Sequence, residues 1–109
     1  MAIDVKITDN SGKFLDALQD QIEQALTAIG LTAESYAKAD CPVDTGRLRN
    51  SITNAVRAGE KAVYIGSNVE YAAYVELGTS RRKATPYLKP AATEHTAEYK
   101  SLAEQALKG

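Results

Sequence analysis

The chain has 109 residues, 44% of them hydrophobic, which is enough for one domain with a modest core but not for two. Its 13 Lys and Arg residues oppose 14 Asp and Glu residues, and the formal net charge of -1 leaves no overall basic excess that would hold the chain on nucleic acid. A single cysteine, Cys41, excludes an intramolecular disulfide and favours a reducing compartment, and no apolar run approaches the roughly 20 residues of a membrane-spanning helix, so no membrane partner is expected.

The N-terminal part of the chain predicts a strand followed by a long helix. Residues 1–9 alternate between apolar and polar side chains, as in a half-buried strand whose apolar face is Ile3, Val5 and Ile7. From about residue 11 to residue 40, apolar side chains recur at steps of three and four on one helical face: Phe14, Leu18, Ile22, Ala25, Ile29, Ala33 and Tyr36. Gly30 costs about 1 kcal/mol relative to Ala inside a helix, so a kink or a break just after Ile29 is the main alternative to one continuous helix.

The stretch Cys41–Ile52 is the corner at which the helical pattern stops and a strand pattern begins. Pro42 disfavours helical backbone angles at the residue before it and cannot donate a backbone hydrogen bond, so the helix should end near Asp40. Asp44–Thr45 supplies short side-chain oxygens that suit the cap of a new helical turn, and Gly46 can adopt whatever φ the corner demands.

Two arginines flank an apolar residue in this corner. The order Arg47, Leu48, Arg49 predicts an apolar anchor that points inward and two guanidinium groups that point toward solvent or a partner. No catalytic group is evident among them.

A β-hairpin is predicted after the corner. Two strands, Ser51–Ala58 and Lys61–Ser67, carry the expected buried set Ile52, Val56, Val63 and Ile65. The dipeptide Gly59-Glu60 joins them, and a two-residue loop with Gly first is typical of a type II′ turn. The two strands should therefore pair antiparallel.

The next stretch predicts a short helix and then an exposed loop. Val69–Leu77 forms one or two helical turns that Asn68 can cap and Gly78 can end, with Tyr74 and Leu77 together on one side. Residues 79–85 have no apolar periodicity and include three adjacent positive charges, so this loop should become ordered only in an assembly.

The C-terminal part predicts one helix from Tyr87 onward. Apolar and aromatic side chains recur at helical spacing to the end of the chain: Leu88, Ala92, His95, Tyr99, Leu102 and Ala106. Pro90 is tolerated because it falls in the first turn.

The chain predicts no catalytic, cofactor-binding or metal site. Cys41 and His95 form the one conceivable thiol–imidazole pair, but nothing in the sequence places them together, and one Cys with one His falls short of the usual three or four metal ligands. Asp40 and Asp44 could be imagined as paired carboxylates, yet each sits where a helix end needs a cap.

A local basic loop leaves one alternative function open. Arg81, Arg82 and Lys83 could contact a phosphate backbone together with Arg47 and Arg49, as in a small nucleic-acid-binding module. A three-residue run of charge is more commonly a solvated loop.

Three sequence motifs, taken together with their order and spacing, resemble those of a known protein family. The stretches Pro42–Ile52, Tyr71–Thr79 and Pro86–Ala91 are similar to those of the tailed-phage head–tail joining family, also called neck or tail-completion proteins. Members are structural components of phage or prophage particles and form a ring between the portal-bound head connector and the tail tube. The resemblance covers roughly residues 42 to 92.

The resemblance implies a role in virion assembly rather than in turnover. It implies a homo-oligomer that contacts the head connector and the tail tube, resides in the virion after assembly in the host cytoplasm, and needs no cofactor or small-molecule substrate. The positions implied or suspected to bind a partner are Arg47, Arg49, Tyr71, Tyr74, Glu76, Arg81, Arg82 and Lys83. The basic loop could face DNA in the lumen of the ring or an acidic patch on a neighbouring subunit.

These patterns together predict a single α+β domain over residues 1–109. A small antiparallel sheet, built from the hairpin and the N-terminal strand, should be covered on one face by the long first helix and the C-terminal helix. The other face and the edges would stay partly exposed, and subunit contacts in a ring can cover such surfaces.

Overall fold

A computed structural model describes residues 3–8, 19–42, 46–81 and 83–108. Its elements are β1 (Ile3–Thr8), α1 (Gln19–Asp40), α2 (Arg47–Ser51), β2 (Thr53–Arg57), a 3₁₀ turn (Ala58–Glu60), β3 (Ala62–Ser67), α3 (Ala72–Leu77), α4 (Leu88–Thr93) and α5 (Thr96–Lys108). The fold is α+β, as predicted.

The three strands form one antiparallel sheet in the order β1-β3-β2. The central strand aligns Val63 with Ile7 on one side and Val56 on the other, and Ile65 with Val5 and Asn54. This register places the apolar side chains on one face of the sheet, where Val63 and Ile65 are fully buried. The alternation predicted for the first strand is confirmed.

The helices cover that face of the sheet. α1 packs against β2 and β3, α5 packs along α1, and α4 lies against β1. Tyr87, Leu26, Ile52, Ile65 and Leu88 are the largest side chains that this packing buries completely. The opposite face carries the polar members of the alternation, among them Lys6, which forms an ion pair with Glu60 at 3.3 Å.

The helix α1 is continuous through Gly30, so the break considered after Ile29 does not occur. A Cβ atom on Gly30 would lie 2.8 Å from Oδ1 of Asn54 and 2.9 Å from Cγ2 of Val63. The glycine therefore lets α1 approach the sheet closely, and the neighbouring side chains fill the space that a methyl group would take. The predicted turns at residues 11–18, with Phe14 and Leu18, lie outside the described residues.

The corner after α1 follows the prediction where the structure describes it. α1 ends at Asp40, just before Pro42, and Gly46 adopts a left-handed φ of 82° at the start of α2. The predicted capping residues Asp44 and Thr45 lie outside the described residues.

Two details of the predicted hairpin are wrong. Ser51 ends α2 instead of starting a strand, and its hydroxyl donates a hydrogen bond to the carbonyl of Leu48 at 2.6 Å, a local contact that favours the helical turn. The connection is not a type II′ turn at Gly59: β2 ends at Arg57, a 3₁₀ turn follows, and Lys61 takes the positive φ of 54°. The antiparallel pairing of the strands is confirmed.

The predicted C-terminal helix is divided into two. α4 ends at Thr93 and α5 begins at Thr96, with a turn at residues 94–95. α4 contacts both β1 and α1, whereas α5 packs mainly along α1. The His95 ring stacks on the Tyr36 ring of α1 at a centroid distance of 3.6 Å, which fixes the turn.

Candidate interaction surface

A cluster of Arg47, Glu70 and Tyr71 joins α2 to the start of α3. Two guanidinium nitrogens of Arg47 donate to the two carboxylate oxygens of Glu70, each at 3.0 Å, and the guanidinium carbon lies 5.6 Å from the centre of the Tyr71 ring. This hydrogen bonding lowers the pKa of Glu70 and raises the pKa of Arg47. Both side chains are exposed, so the pair orients this surface more than it stabilises the fold.

The helix α3 presents two large apolar side chains to solvent. Tyr74 is 50% exposed and Leu77 is 69% exposed, while Ala72, Ala73 and Val75 on the other side of the helix are buried. The prediction that Tyr74 and Leu77 share a side is confirmed. The cap predicted at Asn68 is wrong, because Tyr71 occupies the N-cap position without a side-chain hydrogen bond.

Glu76 lies inside the subunit, although the resemblance implied that it binds a partner. It is 5% exposed, and its carboxylate accepts three backbone N–H donors, from Tyr87 at 2.9 Å, Leu88 at 2.7 Å and Lys89 at 3.1 Å. These donors are the free amides at the N-terminus of α4, where a negative charge also meets the helix dipole favourably. The folded subunit therefore leaves Glu76 little surface for a partner.

The basic loop starts and ends beside α3. Gly78 ends the helix, and the backbone N–H of Thr85 donates back to the carbonyl of Val75 at 2.8 Å, so both ends of the loop lie at the C-terminal end of α3. Arg81 and Lys83 are exposed, whereas Arg82 lies outside the described residues. We call Tyr74, Leu77, Arg81 and Lys83 the α3 surface.

The remaining predicted cation, Arg49, lies exposed in the last turn of α2 near the buried thiol of Cys41. Burial raises the pKa of the Cys41 thiol, and the positive charge of Arg49 opposes this shift only in part. A thiol in this environment is poorly suited to act as a nucleophile, because the thiolate is the reactive form.

The structure does not assemble the conceivable thiol–imidazole pair. The Cys41 thiol donates to the carbonyl of Pro42 at 3.4 Å, whereas the His95 ring stacks on Tyr36. Within the described residues, no group of three His, Cys, Asp or Glu side chains could hold a metal ion. No helix in the described part of the chain is long and apolar enough to cross a membrane.

A cavity of about 390 Å³ lies between β1, α1, α4 and α5. Apolar side chains such as Val5, Leu26 and Ile29 line it, with Lys6 and Lys100 at its border. Among the described residues, its lining contains no acidic side chain and no histidine.

One comparison with known proteins decides the family. Residues 6–78, about two thirds of the chain, match the HK97-gp10-like family, described as "Bacteriophage HK97-gp10, putative tail-component". The chain belongs to this family. The matched residues of the HK97-gp10-like chain run from β1 to the end of α3 and include Arg47, Tyr71 and Tyr74. No curated protein and no solved structure matches the chain.

This membership agrees with the phage structural family that the motifs suggested. The matched region ends at Gly78, so the cations of the α3 surface lie beyond it. Sequence reasoning missed Glu70, because 23 residues separate it from Arg47 and no pattern connects the two. Leu77 could have been included in the candidate surface, since its spacing from Tyr74 already placed both on one side of the helix.

Proposed function

We propose that this HK97-gp10-like protein is a non-enzymatic subunit of a homo-oligomeric ring at the head–tail junction of a phage or prophage particle, between the head connector and the tail tube. The observation that carries the proposal is the α3 surface, where Tyr74 and Leu77 are exposed on the helix that leads into the loop of the exposed cations Arg81 and Lys83. Exposed apolar side chains grouped with charges favour a protein partner. Membership of a phage tail-component family supports partners within the virion.

The alternative, a nucleic-acid-binding module, uses the same loop. Arg81 and Lys83 could face DNA in the lumen of a ring, but the formal net charge of -1 gives no general attraction to phosphate. The exposure of the apolar side chains Tyr74 and Leu77 would also have no explanation if the loop alone bound DNA. We therefore keep lumenal DNA contact as the second candidate, which would appear as salt-sensitive DNA binding by the isolated chain.

A complementation experiment tests the proposal. The gene is deleted in the phage or prophage that encodes it, and the wild-type chain or a Tyr74→Ser/Leu77→Ser variant is supplied from a plasmid. We expect the variant to fold but to leave filled heads and tails unjoined, because its partner surface has lost its apolar centre. The matched control is Gln105→Ser on the exposed side of α5.

Electron microscopy and infectious titre provide the readouts. Tagged wild-type chain should appear at the head–tail junction, and Gln105→Ser should restore joined particles. Normal titres from the Tyr74→Ser/Leu77→Ser variant would remove the α3 surface from the proposal, and absence of the wild-type chain from purified particles would overturn it as a whole.

A further inference from the structure

Three large apolar side chains are exposed in the described part of the chain. Two of them, Tyr74 and Leu77, belong to the α3 surface, and the third is Leu31 on α1, which is 58% exposed. Leu31 lies on the side of α1 that faces away from the sheet, so nothing in the described subunit covers it.

Leu31 ends an acidic stripe along the outer side of α1. We define the α1 stripe as Asp20, Glu23, Gln24, Thr27, Ala28 and Leu31, which recur at steps of three and four and line one shallow depression. The stripe contains two carboxylates and no cation. Neither Asp20 nor Glu23 forms an ion pair with a described residue.

The α3 surface has the complementary composition. It combines two exposed apolar side chains with the exposed cations Arg81 and Lys83, and neither cation forms an ion pair with a described residue. Both surfaces thus combine exposed apolar side chains with charge, which is positive on the α3 surface and negative on the α1 stripe. Opposite potentials across a contact favour the encounter and fix its register.

The two surfaces lie on different elements of the subunit, since the stripe is on α1 and the α3 surface is on α3 and the loop that follows it. The C-terminal end of α1 reaches α2, while near its other described end Gln21 donates to the carbonyl of Leu107 at 3.4 Å, close to the end of α5. Leu31 precedes Asp40 by nine residues, about 13 Å along a helix, and Asp20 lies a further 16 Å or so away. Two different patches that fit each other produce a head-to-tail contact, which closes into a ring when the rotation permits.

We propose that the α1 stripe of one copy receives the α3 surface of the next copy. Leu31 packs against Tyr74 and Leu77, and the exposed cations Arg81 and Lys83 face the carboxylates of Glu23 and Asp20. The inference rests on the homo-oligomer of the proposed function and identifies its two surfaces.

Charge reversal provides the test. The stripe variant carries Asp20→Lys and Glu23→Lys, and the loop variant carries Arg81→Glu and Lys83→Glu, each in the full chain. Alone, each variant places like charges opposite each other and should weaken self-association by about ten-fold or more relative to wild type. Mixed, the two variants should associate again, because each supplies the surface that the other one needs.

Native mass spectrometry and sedimentation at low salt measure this association. Matched controls carry Glu94→Lys or Arg57→Glu, exposed charges outside both surfaces, and should behave as wild type. Undiminished association of both reversed variants, or a mixture that fails to recover, would overturn the inference. If the loop variant loses DNA binding while its self-association is unchanged, the loop faces nucleic acid.

Cross-linking in particles covers the case in which the free wild-type chain stays monomeric. Copies with Leu31→Cys and copies with Leu77→Cys, both with Cys41→Ser, are supplied together or separately to the gene-deleted phage. A short bis-maleimide should join the two kinds of copy only when they are mixed. Particles that contain the chain but give no mixed cross-link would refute this contact and leave the proposed function standing, whereas particles without the chain would refute the proposed function.

Discussion

Gly46 determines the corner between α1 and α2 at the scale of a single residue. Its φ is 82°, in the left-handed region that side chains with a Cβ atom rarely adopt. Among the described residues, a Cβ atom there would meet only Nδ2 of Asn50, at 3.6 Å, which is an ordinary contact. The constraint on this position therefore comes from the backbone and not from crowding.

We expect Gly46→Val to lower the free energy of unfolding by about 1–3 kcal/mol, because a β-branched residue is strained at positive φ. Pro42→Ala should cost less, since it frees the unfolded chain without forcing a clash. Urea unfolding of both variants measures the difference. A larger loss for Pro42→Ala would show that the corner does not depend on the conformation of Gly46.

Gly30 shows what a sequence pattern cannot reveal about a glycine. Its position inside a helical pattern suggested a weak point in α1. In the structure, the absence of a Cβ atom at Gly30 allows α1 to approach Asn54 and Val63 closely. Those residues lie on β2 and β3, more than 20 positions later in the chain. Only the tertiary packing distinguishes a glycine that breaks a helix from one that lets it pack.

The side chain of Glu76, which lies on α3, caps the N-terminus of α4. Its carboxylate accepts hydrogen bonds from the first backbone N–H groups of that helix. Glu76→Ala would leave buried N–H groups without partners and should cost about 2–4 kcal/mol of unfolding free energy. Glu76→Gln keeps one acceptor oxygen and should cost less. Urea unfolding checks both values.

The same pair of variants separates an internal role from a partner-binding role for Glu76. An internal role predicts that particle assembly falls in step with stability. A Glu76→Ala subunit with wild-type stability that fails to assemble would instead support the role in partner binding that the resemblance implied.

Two buried tyrosine hydroxyls connect the helices around α4. Tyr87 donates to the carbonyl of Ala72 on α3 at 3.1 Å, and Tyr99 of α5 donates to the carbonyl of Ala91 on α4. Burial raises the pKa of both phenols, in the case of Tyr99 to about 12. The fold thus holds both hydroxyls in their protonated form.

Stability should fall in alkali because of these two hydroxyls. The contribution of Tyr99 is complete below the ordinary tyrosine pKa of 10.0 and is lost as the pH rises from there through about 12, since the unfolded chain releases its proton first. The contribution of Tyr87 is lost over a range that extends to higher pH. Tyr99→Phe should be less stable at neutral pH, where the hydrogen bond is lost, but should show a shallower alkaline decline. Urea unfolding at about pH 8 and pH 11 tests this, with the exposed Tyr74→Phe as the control. If the free energy of unfolding of Tyr99→Phe falls with pH as steeply as that of wild type, the prediction is wrong.

The division between α4 and α5 marks the limit of periodicity as a guide to elements. Leu88, Ala92 and Tyr99 keep helical spacing across the turn, so the pattern alone predicts one helix. α4 packs on β1 as well as on α1, whereas α5 packs along α1, and in the turn between them His95 stacks on Tyr36, 59 positions earlier. Local spacing records which side chains are buried but not against what they are buried.

At the scale of the whole molecule, the sequence predicted the class of fold and which face of the sheet is covered. Both follow from patterns of period two and about 3.6, which mark the faces of strands and helices. The candidate surface was predicted less completely. Tyr74 and the basic loop were singled out from the sequence. The burial of Glu76 and the exposure of Leu77 were not predicted, because both depend on how α3 packs on the core.

The subunit is elongated, with principal extents of 48 × 20 × 20 Å. The 22 residues of α1 account for about 33 Å of a helical rod, so this helix provides much of the long axis.

The ribosome synthesises the two edge strands of this sheet, β1 and β2, before the central strand β3. Ile3–Thr8 and Thr53–Arg57 both pair with Ala62–Ser67, and no pairing between the two edge strands occurs in the described residues. A nascent chain that has not reached Ala62 therefore carries two strands whose pairing partner has not yet been synthesised. For β1, more than 50 further residues must be added before that partner exists. Sheet pairing can begin only once β3 has left the ribosome, so elongation sets the earliest moment at which this half of the fold can form.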